Sequence, residues 1–138
     1  MRIMAIDYGD AHTGIAISDP TGFLAGFTTV INAYRPEAVA EQISALAKEH
    51  GVEELVLGHP INMDGTRGPR SEKAQAMKAL LEETTSLPVV LWDERRTTID
   101  AHQILMNSGK NAKKRKKVVD AVAATLILEG YLTYKKNH

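Results

Sequence analysis

The chain has 138 residues, 43% of them hydrophobic and 25% charged, with 17 acidic and 17 basic side chains. That size fits one domain over residues 1–138 with a buried core, and the balanced charge excludes a global pull toward polyanions, leaving only local patches to supply one. The lack of cysteine excludes disulfides and thiolate metal sites and fits a reducing cytoplasm. No apolar run approaches the roughly 20 residues of a membrane span, and Met1-Arg2 leads into a strand pattern rather than a signal peptide.

Residues 2–8 are apolar and end in Asp7-Tyr8-Gly9-Asp10, a buried strand running into a turn. A second strand is expected over Thr13–Ser18, closed by the turn residues Asp19-Pro20-Thr21-Gly22, and a third over Phe23–Ile31. The period then changes. Pro36 opens a helical pattern carried by Val39, Ile43, Leu46 and Ala47 until Gly51 stops it. Leu55–Gly58 is a short buried strand, His59–Arg70 a polar loop, Ser71–Glu83 a helix, and Pro88–Trp92 a fifth strand leading into Asp93-Glu94. Helices are expected over Thr97–Asn107 and, after a basic stretch, over Lys116–Tyr134. Three meandering strands followed by strand–helix alternation predict a single α/β domain with a mixed sheet and helices on its faces.

Carboxylates stand at the places where such a sheet puts its ligands. Asp7 ends one apolar strand, Asp93-Glu94 ends another, and Asp120 interrupts an alanine-rich helix. Successive strand residues point to opposite faces, so only one of Asp93 and Glu94 can aim at the same spot as Asp7. Separate acids of this kind suit hard divalent cations, magnesium or manganese, which take oxygen ligands and leave positions for phosphate. The simpler readings are a turn-capping Asp7 and an Asp120 salt-bridged to Arg95 or a lysine. The five histidines show no zinc-like spacing.

Cations gather in two places. Lys110, Lys113, Lys114, Arg115, Lys116 and Lys117 crowd into the segment ahead of Asp120, and Arg67 and Arg70 flank the start of a helix at Ser71. The first group can bring phosphates toward the acids; the second, with helix-terminal amides, can hold one. Arg95, beside the strand-five acids, joins them as a candidate nucleic-acid contact. Solvated charge is the plain alternative for each. Tyr8 is a candidate for a ring that faces the substrate.

Taken together, Asp7-Tyr8-Gly9, Leu57-Gly58-His59-Pro60 with Asn62-Met63-Asp64-Gly65, Trp92-Asp93-Glu94-Arg95 with Thr97-Thr98, and Asp120-Ala121-Val122-Ala123-Ala124 resemble the YqgF/RuvX family. That family consists of RNase H-like proteins described as Holliday-junction-resolvase-like and as nucleases maturing pre-16S rRNA. The resemblance implies a five-stranded sheet with strand two antiparallel to the rest, and Asp7, Glu94 and Asp120 as the acidic active-site and metal positions. Related resolvases carry an acid at the exit of strand four, where this chain has Gly58-His59-Pro60, so here the second acid comes from strand five.

The expected activity is phosphodiester hydrolysis with magnesium or manganese, acting on pre-16S rRNA. Two alternatives are a non-catalytic RNA-binding assembly or transcription factor on the same fold, and a Holliday junction resolvase in DNA repair. The expected partner is nucleic acid, with the protein a monomer or a homodimer. An ATP-handling reading also fits Asp7-Tyr8-Gly9 with Thr13-Gly14 locally, but that group clamps ATP between two such domains.

Overall fold

The computed structural model describes residues 1–21, 25–59, 68–93 and 112–137, without the side chains of residues 69–70, 112–121 and 136–137. The N-terminal meander forms as expected: β1 (Arg2–Asp7), β2 (His12–Ser18) and β3 (Ala25–Asn32). There follow α1 (Pro36–His50), β4 (Val52–His59), α2 (Pro69–Thr85), β5 (Val89–Asp93) and α3 (Ala112–Asn137). The helix expected over Thr97–Asn107 lies outside the described residues.

Five strands make one sheet in the order β3-β2-β1-β4-β5. β2 pairs antiparallel with both neighbours, while β1, β4 and β5 run parallel. The connections dictate this. Short turns allow only antiparallel pairing, whereas α1 and α2 supply the crossovers that parallel neighbours need.

Alternate residues of the sheet feed two cores. Met4, Ile6, Ile15, Leu55 and Leu57 pack with Val39 and Ile43 of α1 and Met77 and Leu81 of α2. Ile3, Ala5, Ala16, Val56 and Trp92 pack with Ala124, Ile127, Leu128 and Tyr131 of α3. Being covered on both faces, β1 has no solvent side, which is why its sequence is an unbroken apolar run rather than an alternation.

Three boundaries differ from expectation. β4 begins at Val52 and keeps His59, so His59 belongs to the strand rather than to the polar loop; Arg2 pairs with Val52 and Ile3 with Glu54, a register irregularity that skips the exposed Glu53 and breaks the pattern there. α2 starts at Pro69 with Gly68 as its N-cap, not at Ser71, because proline's fixed φ and missing N–H suit the first helical position. The basic run does not precede the last helix: Lys113–Lys117 lie inside α3, consistent with lysine and arginine being good helix formers.

On the α3 side, the Tyr131 hydroxyl donates to Glu54 on β4, and Lys135 approaches the same carboxylate at 3.4 Å. Burial, followed by the Glu54 hydrogen bond and charge, raises the Tyr131 pKa above its ordinary 10.0. A phenol whose folded pKa is raised contributes stability that is complete below its unfolded pKa and is lost as pH climbs past it. Tyr131→Phe should therefore cost about 1 kcal/mol at neutral pH. It should also flatten the fall in Tm as pH rises above about 10, as thermal melts of both proteins would show.

Candidate nucleic-acid-cleaving edge

Asp7 is the last residue of β1 and is half-buried. Its partner on β2 is Gly14. On the other side Ile6 pairs with Leu57 of β4, so one step further the neighbour of Asp7 is Gly58. The carboxylate thus has glycine beside it on both adjacent strands. Gly58 in turn pairs with Trp92 of β5. Asp7, Gly14, Gly58 and Trp92 therefore share the face on which α3 packs.

The turn that delivers Asp7 tolerates no side chain at Gly9. A Cβ there would stand 2.4 Å from the backbone oxygen of His12, and a backbone atom cannot swing aside. Gly9→Ala should destabilise the fold by about 1–3 kcal/mol and displace the strand end, measurable as a lower urea midpoint together with reduced activity.

Register also places the acid that ends β5. Asp93 pairs with His59 and so lies on the opposite face from Asp7. His59 is 6% exposed, and its Nε2 lies 2.6 Å from Ser71 Oγ of α2, to which Gln75 also donates at 3.4 Å. This pair ties the exit of β4 to the first turn of α2. Ser71, expected as the start of the helix, directs its hydroxyl to His59, and His59 packs against α2.

Among the remaining sequence candidates, Arg67, Glu94, Arg95 and Lys110 lie outside the described residues. Arg70 falls in the first turn of α2; Lys113, Lys114, Arg115, Lys116, Lys117 and Asp120 fall in the N-terminal part of α3. For these the backbone alone is described. Asp120 sits one helical turn before Ala124, which is fully buried against the sheet. Among the described residues no three His, Asp or Glu side chains converge as a metal site.

The sequence reading missed a cavity of about 500 Å³ on the α1–α2 side of β1, lined by Tyr8, Asp10 and Tyr34 together with Glu37 of α1 and Lys73, Met77 and Leu80 of α2. Lys73 Nζ bridges to Asp10 Oδ1 at 3.0 Å. Burial, and then the Asp10 charge, push the Tyr8 phenol above its ordinary pKa. The one clue was Tyr8 itself, directly after the acid.

Comparison with known proteins agrees with this architecture. The chain is 45% identical over 135 residues to a protein of Halothermothrix orenii named "Putative pre-16S rRNA nuclease", covering 98% of this chain and 96% of the relative. A protein of the same name from Bacillus subtilis is 44% identical over 134 residues, covering 96% and 97%. Among solved structures, Thermus thermophilus RuvC in complex with a Holliday junction substrate superposes with a TM-score of 0.65 at 12% identity, covering 99% of this chain and 96% of that one. At that identity the likeness speaks for the RNase H-like resolvase fold alone. The model of the RuvX family, described as Holliday junction resolvase, matches residues 1–134; the chain belongs to the YqgF/RuvX family.

Proposed function

We propose that this protein is a nuclease that uses magnesium or manganese to hydrolyse phosphodiester bonds in RNA, with the pre-16S rRNA end as its substrate and the cytoplasm as its place of work. The observation that carries the reading is Asp7, a strand-end carboxylate with glycine on both neighbouring strands, in a family whose relatives bear the name of that activity. Acids at such an edge repel phosphate unless cations intervene.

Asp7, Glu94 and Asp120 are the residues assigned to hold those cations. The donor set fits, since carboxylate oxygens are the ligands that hard divalent ions take. When bound, such ions supply an activated water and stabilise the leaving oxygen. The placement of Asp93 on the far face supports Glu94 as the acid that strand five contributes. The part of the chain itself is to orient. Asp7 fixes one point of the site at the end of a strand buried on both faces, while Lys113, Lys114, Arg115, Lys116 and Lys117, with Arg67, Arg70 and Arg95, hold the phosphates of the strand.

The ATP-handling alternative is disfavoured by the hairpin. Thr13, which that reading needs at the phosphate, is fully buried. Labelled single-stranded RNA, duplex DNA and four-way junctions, incubated with magnesium or manganese and with chelator, test the proposal. Metal-dependent cutting of RNA is expected. Binding without any cutting would instead make the domain an RNA-binding assembly factor, and junction cutting alone would make it a resolvase.

A further inference from the structure

The cavity beside Tyr8 plays no part in the acid edge, yet it lies directly behind it. Consecutive Cα atoms are about 3.8 Å apart, so Asp7 and Tyr8 present one residue to each face of the same strand end. The cavity volume of about 500 Å³ lies within the roughly 300–1,000 Å³ of small-molecule sites. Its floor is apolar, from Met77 and Leu80, and at its rim Tyr34 is 82% exposed. An aromatic ring left that open is costly to solvate and offers a stacking surface.

The charges decide which ligand fits. Among the described lining residues Asp10 and Glu37 set two carboxylates beside the ammonium of Lys73, which disfavours a phosphate or other anion as the ligand. A purely aliphatic ligand would leave the charged groups unused. A planar heterocycle with adjacent N–H donors satisfies both the rings and the acids. Of the four RNA bases only guanine presents two neighbouring donors, N1–H and N2–H, with an acceptor, O6, beside them. Adenine and cytosine set an acceptor next to their amino group, and uracil flanks its single N–H with two acceptors.

We propose that this cavity holds a guanine base of the bound strand, stacked on Tyr34, with Glu37 accepting from N1–H and N2–H and Lys73 donating to O6. An ammonium has three donors, so Lys73 keeps its bridge to Asp10 while it does so. Glu37 makes no ion pair or hydrogen bond among the described residues and is available to the base. The position of the guanine near a scissile phosphate rests on the nuclease reading; the base site itself does not.

Binding of the pentaribonucleotides UUGUU and UUAUU to the full chain, measured by calorimetry in the presence of chelator, tests it without cleavage. The guanine strand should bind about tenfold more tightly, Glu37→Gln should erase the difference, and Tyr34→Ala should weaken binding of UUGUU by about tenfold. Both side chains are exposed, so these variants should fold, as circular dichroism would verify. Equal binding of the two strands, or an unchanged preference in Glu37→Gln, overturns the inference. Guanosine monophosphate binding as tightly as UUGUU overturns the assignment to a strand. Cleavage mapping then separates this idea from the nuclease reading. A wild type that cuts RNA with no guanine preference in binding or cutting sinks the cavity proposal and leaves the nuclease. One that prefers guanine but cuts nothing with either metal does the reverse.

Discussion

Asp7→Asn should cut metal-dependent cleavage by about a thousandfold or more, equivalent to about 4 kcal/mol of transition-state stabilisation, while leaving the fold intact. Asparagine matches aspartate in shape and removes only the charge. The backbone pairing of Asp7 with Gly14 is untouched, and the half-buried position does not demand an ionised group for packing. Because the lost charge is one that repels phosphate, affinity for RNA measured in chelator should hold or improve. Side-by-side rates and urea midpoints of the two proteins provide the check. Undiminished cleavage would remove Asp7 from the site, whereas a collapsed midpoint would mean that its role is structural.

Leu57→Ala is expected to do the opposite. Leu57 is fully buried on β4 between Ile6 and Leu91 in the cross-strand register, and it belongs to the core under α1 and α2. Truncating it removes three carbons from the middle of a packed layer. Such changes cost about 2–5 kcal/mol, according to how far the surroundings collapse into the space. That is a large share of the roughly 5–15 kcal/mol by which domains are stable. Its side chain faces away from Asp7, so at low temperature the folded fraction should retain its specific activity. Denaturant melts read the first effect and activity per folded molecule reads the second.

What was legible in the chain was what short-range pattern encodes. The apolar run of β1 ending at Asp7, the turn residues after β2 and the period change at Pro36 specify the element order, and the meander-then-crossover arrangement follows from it. Parity alone implied that Asp93 and Glu94 could not both aim where Asp7 does, and the pairing of Asp93 with His59 puts Asp93 on the opposite face. The misplaced boundaries had local causes: the expected helix started at Ser71 although Pro69 held the first helical position, and Glu53-Glu54 masked the start of β4. The His59–Ser71 bond and the cavity behind Tyr8 were illegible for a different reason. The bond crosses the connection between β4 and α2, and the cavity joins the end of β1 to α1 and α2, so neither leaves a periodic trace.

The two flanks of Asp7 arise at different ranges along the chain, and this bears on when the protein becomes competent. Gly14 reaches Asp7 through a tight hairpin, a closure with little entropy to overcome. Gly58 arrives only after the α1 crossover has closed a much longer loop, a slower event by the usual dependence of folding rate on contact range. Chains emerge N-terminus first at roughly 5–20 residues per second, so a nascent molecule displays the Asp7 hairpin for seconds before β4 exists to pair with it. On the proposed assignment, half an acid edge lacks its second flank and the helix carrying Asp120, and the site is complete only when synthesis is nearly finished.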